Sequence, residues 1–115
     1  MTCQQYLEYH LPRVKEAINL TKDGWREHSF AFSEEQSSDI VLGDCNDVPK
    51  PVIKNGIGSF HSHTIDYSKP SEDDFQIFKQ SSDKYMCYAT PKDDIWDIRC
   101  FDRDLSVCGQ IELSG

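Results

Sequence analysis

The stretch Gly58-Ser59-Phe60-His61-Ser62-His63-Thr64 is followed, after six intervening residues, by Ser71-Glu72-Asp73-Asp74. Side chains two residues apart on a strand face the same side, so the two histidines can reach one metal ion. Side chains three residues apart on a helix share a face, so Ser71 and Asp74 can point to one spot. Two imidazoles and one carboxylate leave one of the four zinc positions open, which is the pattern of a catalytic zinc site. The stretch therefore predicts a strand, a loop and a helix that meet at a metal centre.

Each half of this pattern has a plainer interpretation when it is taken alone. Ser71 to Asp74 is also a capping box, in which Ser71 caps the helix and Asp74 reaches back to its backbone amide. An isolated His-x-His pair is more often structural than metal-binding. The two halves together, at this spacing and in a strand-to-helix context, favour the metal site.

The rest of the chain shows alternating helix and strand signals. Apolar residues recur every three or four positions over residues 3–20, which predicts an amphipathic helix. Asp23-Gly24 is a turn signal that stops it. Strands are predicted at 29–33, 39–42, 57–63, 84–90, 95–102 and 107–113, and a second helix at 71 to about 82. This order predicts one α+β domain over residues 1–115, with a mostly antiparallel sheet flanked by helices.

Composition and charge narrow the class of protein. With 37% hydrophobic and 28% charged residues, the chain is expected to fold as a globule. Its formal net charge of -8 argues against nucleic acid and against anionic membranes as partners. No apolar run approaches the ~20 residues that span a bilayer, and the first residues lack the pattern of a secretory signal. We therefore expect a cytoplasmic protein.

The cysteines are five in number, and none forms a CxxC pair. For a cytoplasmic protein this favours reduced thiols. A bridge between Cys87 and Cys100 remains an open alternative. The five are Cys3, Cys45, Cys87, Cys100 and Cys108.

The pattern His-x-His, seven residues, Ser-x-x-Asp resembles the signature of the JAMM (MPN+) metalloproteases. The resemblance implies a curved, mixed β-sheet flanked by helices, with a layout like that of the cytidine deaminases. It implies one Zn²⁺ per chain, held by His61, His63 and Asp74. One position departs from the family, because Thr64 stands where the second histidine is usually followed by proline. This difference bears on the shape of the loop and on substrate fit.

The resemblance also implies an upstream glutamate at the start of a buried strand. Glu27 precedes the predicted 29–33 strand, whereas Glu34 and Glu35 lie in the turn after it, so strand position favours Glu27. Zinc lowers the pKa of a water molecule to about 7. Glu27 would then act as general base and later as general acid, and the Ser71 hydroxyl would donate a hydrogen bond to the developing oxyanion.

The activity implied by the resemblance is hydrolysis of a peptide or isopeptide bond after the C-terminal tail of a ubiquitin-like protein. Only 41 residues follow Asp74, which leaves little room for insertions that hold substrate, so a partner subunit is a further expectation. The alternatives are a non-catalytic MPN-type scaffold, or a peptidase acting on a small peptide or a sulfur-carrier protein. His-x-His-Thr also occurs in barrel phosphoesterases, but these need further histidines, and this chain has none after His63.

Overall fold

The computed structural model describes residues 1–43, 52–64 and 72–114. These residues contain three α-helices and six β-strands. No helix in these ranges combines the length and the apolar character needed to cross a membrane. The elements are α1 (Cys3–Tyr9), α2 (Leu11–Gly24), β1 (His28–Phe32), β2 (Val41–Leu42), β3 (Gly58–Ser62), α3 (Glu72–Gln80), β4 (Tyr85–Lys92), β5 (Ile95–Phe101) and β6 (Val107–Ser114).

A proline divides the helix that was predicted over residues 3–20 into α1 and α2. Pro12 has no N–H, and its ring clashes with the carbonyl four residues earlier, so a continuous helix across it is costly. His10 takes φ −90° and ψ 5° between the two helices, and Pro12 falls in the first turn of α2, where proline is tolerated. Helix α2 also runs beyond residue 20, the predicted end, to Gly24, and Trp25 ends it in the left-handed conformation. Trp25 is 56% exposed.

The six strands form one sheet in the order β2-β1-β3-β4-β5-β6. Every neighbouring pair is antiparallel except β3 and β4, which are parallel. Parallel neighbours need a crossover connection, and α3 lies in the segment that joins β3 to β4. The predicted α+β fold with a mostly antiparallel, mixed sheet is confirmed.

The two faces of the sheet bury different side chains. Helices α1 and α2 pack on one face, against the larger apolar core. In β3, Phe60 points into that core and stacks on Phe30 at 5.1 Å between ring centroids. His61, the next residue, points to the opposite face because successive strand residues alternate. The smaller cluster of buried residues on this second face consists of Phe78, Met86, Tyr88 and Phe101.

Two strands differ from their predicted bounds. Strand β4 continues through Pro91, beyond the predicted end at residue 90. The pairing of β3 with β4 ends at Ser62 and Ala89, so no partner strand on that side needs an N–H from Pro91. Strand β2 is only two residues long, shorter than the predicted 39–42 strand.

The expectation of reduced cysteines is wrong for four of the five. Cys3 is bonded to Cys108, and Cys87 to Cys100, with S–S distances of 2.07 Å and 2.05 Å. The expectation rested on the cellular compartment, whereas the bonds follow from which segments are neighbours in the fold. Antiparallel pairing of β4 with β5 sets Cys87 directly opposite Cys100. Cys45 lies outside the described residues.

Helix α1 is held against β6, the edge strand of the sheet. The amide side chain of Gln4 accepts a hydrogen bond from the Gln110 N–H at 2.8 Å and donates one to the Gln110 carbonyl at 3.3 Å. A neighbouring strand would make the same two kinds of bond. Gln4 therefore protects part of the exposed edge, and the Cys3–Cys108 bond fixes α1 in that position.

Candidate metal centre

Strand β3 carries both histidines to the face that α3 covers. His61 pairs with Ser29 of β1 and with Tyr88 of β4. His63 lies one residue beyond the strand, but its N–H donates to the Ala89 carbonyl at 2.8 Å, which keeps the backbone attached to β4. His63 is buried and His61 is half-buried. Their Nε2 atoms lie 2.9 Å apart, so the two side chains converge as the spacing predicts.

Asp74 comes to the same point from the first turn of α3. Its Oδ2 atom lies 3.4 Å from Nε2 of His61 and 3.6 Å from Nε2 of His63. All three ligand atoms lie within 4.8 Å of one another, and within the described ranges no other cluster of histidine, cysteine and acidic side chains is placed to hold a metal ion. The carboxylate is partly shielded from solvent, at 26% relative exposure.

The separations within this group fit a tetrahedral zinc site. Zinc bonds to imidazole nitrogen and carboxylate oxygen measure about 2.0–2.2 Å, and a tetrahedron with such bonds has edges of about 3.3 Å. The three observed edges of 2.9, 3.4 and 3.6 Å lie on either side of that value. Two nitrogens and one oxygen are donors that zinc accepts, and three protein ligands leave the fourth position for water or substrate. The donor set therefore suits a catalytic zinc ion.

A buried hydrogen-bond network fixes the strand end from the opposite face. Ser62, between the two histidines, has no exposed surface. Its Oγ atom accepts from the His28 N–H at 2.9 Å and lies 2.6 Å from Thr21 Oγ1, which also donates to the Ala17 carbonyl. The network connects β3 to the start of β1 and to α2. His28 belongs to this network, because its Nδ1 contacts Thr21 and the Arg26 carbonyl.

Glu27 immediately precedes β1 and is half-buried. The β1–β3 register pairs Ser29 with His61, so continuing it by two residues brings Glu27 across from His63. Its backbone carbonyl accepts a hydrogen bond from Gly43 N–H at 2.8 Å. Glu27 is not a member of the compact group of ligand atoms, and its role as general base stays a prediction.

The two alternative glutamates lie elsewhere. Glu34 and Glu35 are exposed and follow Phe32, which pairs with Gly58 at the far end of β3. They are therefore separated from the histidines by the length of the strand. The register thus places Glu27, and neither of these glutamates, at the end of the strand where the histidines lie.

Some of the predicted site lies outside the described residues. Ser71 is one such residue, so its role as a hydrogen-bond donor stays a prediction. Thr64, which stands in place of the family's proline, is described and is half-buried.

Tyr88 is a residue of the site that sequence reasoning missed. It is 1% exposed, and its ring lies against both imidazoles, with centroids 5.2 Å from His63 and 6.3 Å from His61. Burial raises the pKa of its phenol; the charge of Arg99 acts in the opposite direction, and those of Asp97 and Asp74 add to the increase. Alternation along the predicted 84–90 strand gives no hint of this contact, because it depends on the parallel register with β3.

One comparison with known proteins, that with solved structures, found a match to this fold. No family model and no curated protein matches the sequence. A solved structure described as JAMM, a metalloprotease-like zinc site in the proteasome and signalosome, matches the fold with a TM-score of 0.50 and 20% sequence identity. The match covers 90% of this chain and 88% of that one. This chain therefore has the fold of the JAMM metalloprotease-like proteins, as the resemblance of its His-x-His and Ser-x-x-Asp motifs implied.

Proposed function

We propose that this protein is a zinc metalloprotease, a hydrolase of peptide or isopeptide bonds. The observation that carries the proposal is the convergence of His61, His63 and Asp74, with donor atoms 2.9–3.6 Å apart. The fold supports it, because the matching solved structure is described as a metalloprotease-like zinc site. A non-catalytic scaffold has no need of three complete ligands at tetrahedral separations.

Each residue of the site has its own role in the proposed reaction. His61, His63 and Asp74 would hold one zinc ion, which when bound would acidify water and polarise a carbonyl oxygen. Glu27 takes the proton of the attacking water and later delivers it to the leaving amine. Ser71 donates a hydrogen bond to the oxygen that becomes negative as the carbonyl is attacked. The side chains of His61 and His63 are only 13% and 4% exposed, and limited access of bulk water strengthens these electrostatic effects.

The substrate that we propose is the C-terminal tail of a ubiquitin-like protein, either joined to a lysine or extended as a precursor. This part rests on the family resemblance of the two motifs. We further propose that a partner subunit helps to recognise a large substrate. A small peptide or a sulfur-carrier protein is the alternative substrate for the same chemistry.

The test is a cleavage assay with zinc-loaded protein and a panel of conjugates and C-terminally extended forms of ubiquitin-like proteins. Release of the free modifier, followed by mass spectrometry, is the expected result. Glu27→Gln should keep the metal and reduce turnover by roughly 10²–10⁴-fold, the usual contribution of a general base. Glu34→Gln is the matched control, because Glu34 lies at the other end of β1, and it should leave turnover unchanged.

The outcomes separate the parts of the proposal. Cleavage of small peptides without release from any conjugate would move the assignment to the alternative substrate. Equal turnover for Glu27→Gln and the wild type would exclude Glu27 as the base. A folded wild-type protein that takes up no zinc and cleaves nothing would identify a scaffold instead.

A further inference from the structure

Tyr88 lies at the middle of β4, directly beside His61 in the parallel register. The planes of its ring and of the two imidazoles are inclined by only 28° for His63 and 27° for His61. One buried ring thus forms a wall against which both histidines stack. The two imidazoles also contact each other, with centroids 4.8 Å apart.

The other side of Tyr88 connects this wall to the helix that carries the third ligand. Tyr88 stacks on Phe101 at 5.7 Å with an interplanar angle of 11°. Phe101 meets Phe75 edge to face at 5.5 Å, and Phe75 follows Asp74 in α3. We call Tyr88, Phe101 and Phe75 the aromatic row. It spans the distance between the strand that carries the histidines and the helix that carries the aspartate.

Such a row has a physical consequence for metal binding. The χ2 torsion of a histidine has broad, shallow minima, so an unsupported imidazole samples many orientations. Ordering it on binding has an entropic cost. A flat ring packed against one side of each imidazole excludes most of those orientations. The Nε2 atoms of His61 and His63 lie 2.9 Å apart beside this ring.

We propose that Tyr88 is a positioning residue of the metal centre, which orients both histidines through ring stacking and couples them to α3 through the aromatic row. This inference rests on the metal site of the proposed function. The competing explanation is that Tyr88 only fills the smaller core. The two explanations predict different effects on zinc affinity. If Tyr88 only fills the core, its removal should change zinc affinity no more than the removal of another buried ring that is equally important to stability.

The experiment compares Tyr88→Leu with Phe60→Leu. Phe60 is also 1% exposed and is the residue directly before His61, but it packs on the opposite face, against Phe30. Zinc affinity is measured by competition with a chelator. Residues that orient metal ligands typically contribute 10–100-fold in affinity, so Tyr88→Leu should bind zinc roughly 10–100-fold more weakly. Phe60→Leu should lower stability while it keeps the affinity of the wild type.

Two further measurements make the comparison specific. Tyr88→Phe keeps the ring and should restore affinity to nearly the wild-type level. Cobalt(II) placed in the site reports coordination geometry by its visible absorption spectrum, since geometry is diagnostic for such metals. The spectrum of Tyr88→Leu should change, and those of Tyr88→Phe and Phe60→Leu should match the wild type. If Tyr88→Leu does not fold, Tyr88→Met, which fills the space with a flexible apolar chain, takes its place.

The inference is overturned if the Tyr88→Leu or Tyr88→Met protein binds zinc as tightly as the wild type with an unchanged cobalt spectrum. It is also overturned if Phe60→Leu weakens zinc binding as much as the Tyr88 variant does. Failure of the proposed function has a different signature, because the wild type itself would then bind no zinc or cleave no substrate.

Discussion

His10 shows how a single buried side chain sets a pH dependence of stability. It lies between α1 and α2, is 6% exposed, and packs against Phe32 with ring centroids 4.9 Å apart. Its Nε2 atom is 2.8 Å from the Ser33 carbonyl, so the neutral ring donates a hydrogen bond there. Burial lowers the pKa of His10, and the bond to Ser33 acts in the opposite direction to a lesser extent. The folded protein therefore keeps His10 neutral at a pH where the unfolded chain has begun to protonate it.

The sign of the effect follows from this difference. Above the ordinary histidine pKa of about 6.5, both states are neutral and His10 contributes no pH dependence. As the pH falls below that value the unfolded state binds more protons, so the free energy of unfolding decreases until the lowered folded-state pKa is reached. Urea unfolding between about pH 7.5 and about pH 5.5 should show this loss. His10→Gln, which can still donate to Ser33, should lose less stability over the same range. An identical pH dependence of both proteins would contradict this account.

Local spacing is sufficient to predict the three ligands of the candidate site. His61 and His63 share a face because a strand alternates, and Asp74 falls in the first turn of a helix, so short-range rules bring them together. The contacts of Tyr88 and the position of Glu27 opposite His63 depend on pairing between segments that are distant in the chain. Sequence periodicity carries no information on that register.

At the scale of the elements, α3 depends on a clamp at its C-terminal end. A nine-residue helix is marginal in isolation, and its last carbonyls need partners. Arg103 supplies them: its guanidinium donates to the carbonyls of Phe78, Lys79, Ser81 and Asp83 at 2.8–3.1 Å. The same group lies 5.1 Å above the Phe78 ring. Arg103 therefore holds the helix whose other end presents Asp74.

Arg103→Lys should disrupt this clamp, because an ammonium group lacks the planar fork that reaches several carbonyls at once. We expect a loss of about 1–2 kcal/mol in the free energy of unfolding. Zinc affinity should fall as well, since α3 becomes less ordered. Urea unfolding and chelator competition measure the two effects. Arg26→Lys is the control at an exposed arginine. If the two variants behave alike, the clamp does not hold α3.

Most elements are predictable in kind and position, and the differences have local causes. The predicted first helix breaks because Pro12 cannot lie within it, a rule that the sequence already contains. Strand β4 extends through Pro91 because its neighbour β3 has ended by that point. This second cause needs the order of strands in the sheet, which follows from tertiary packing rather than from local preference.

At the scale of the whole molecule, two disulfides connect separate segments. Cys3–Cys108 joins segments that lie far apart in the sequence, and Cys87–Cys100 joins adjacent strands. Such bonds persist in oxidising compartments, so the two disulfides do not favour the predicted cytoplasmic location. That location stays a prediction. The Cys3–Cys108 bond encloses almost the entire chain, with a sequence separation of 105, against 13 for Cys87–Cys100. In the chain-entropy view, the longer loop gives the larger stabilisation, about 4–5 kcal/mol against about 3 kcal/mol.

The double variant Cys3→Ala/Cys108→Ala should therefore unfold at a markedly lower urea concentration than the wild type in the absence of reductant. Added reductant should lower the midpoint of the wild type and should have a smaller effect on the variant, which retains only the second bond. Equal midpoints without reductant would show that the Cys3–Cys108 bond does not stabilise the protein. Mass spectrometry of the alkylated protein identifies which thiols are paired in each sample.

The central claim concerns one zinc ion bound where strand and helix meet, and metal content tests it most directly. Protein supplied with zinc and then freed of excess metal is analysed for zinc per chain, for the wild type and for His63→Ala, Asp74→Ala and His10→Gln. The account predicts one zinc per chain in the wild type and in His10→Gln, and its loss in the two ligand variants. A folded wild type without zinc, or zinc retained in both ligand variants, would contradict it.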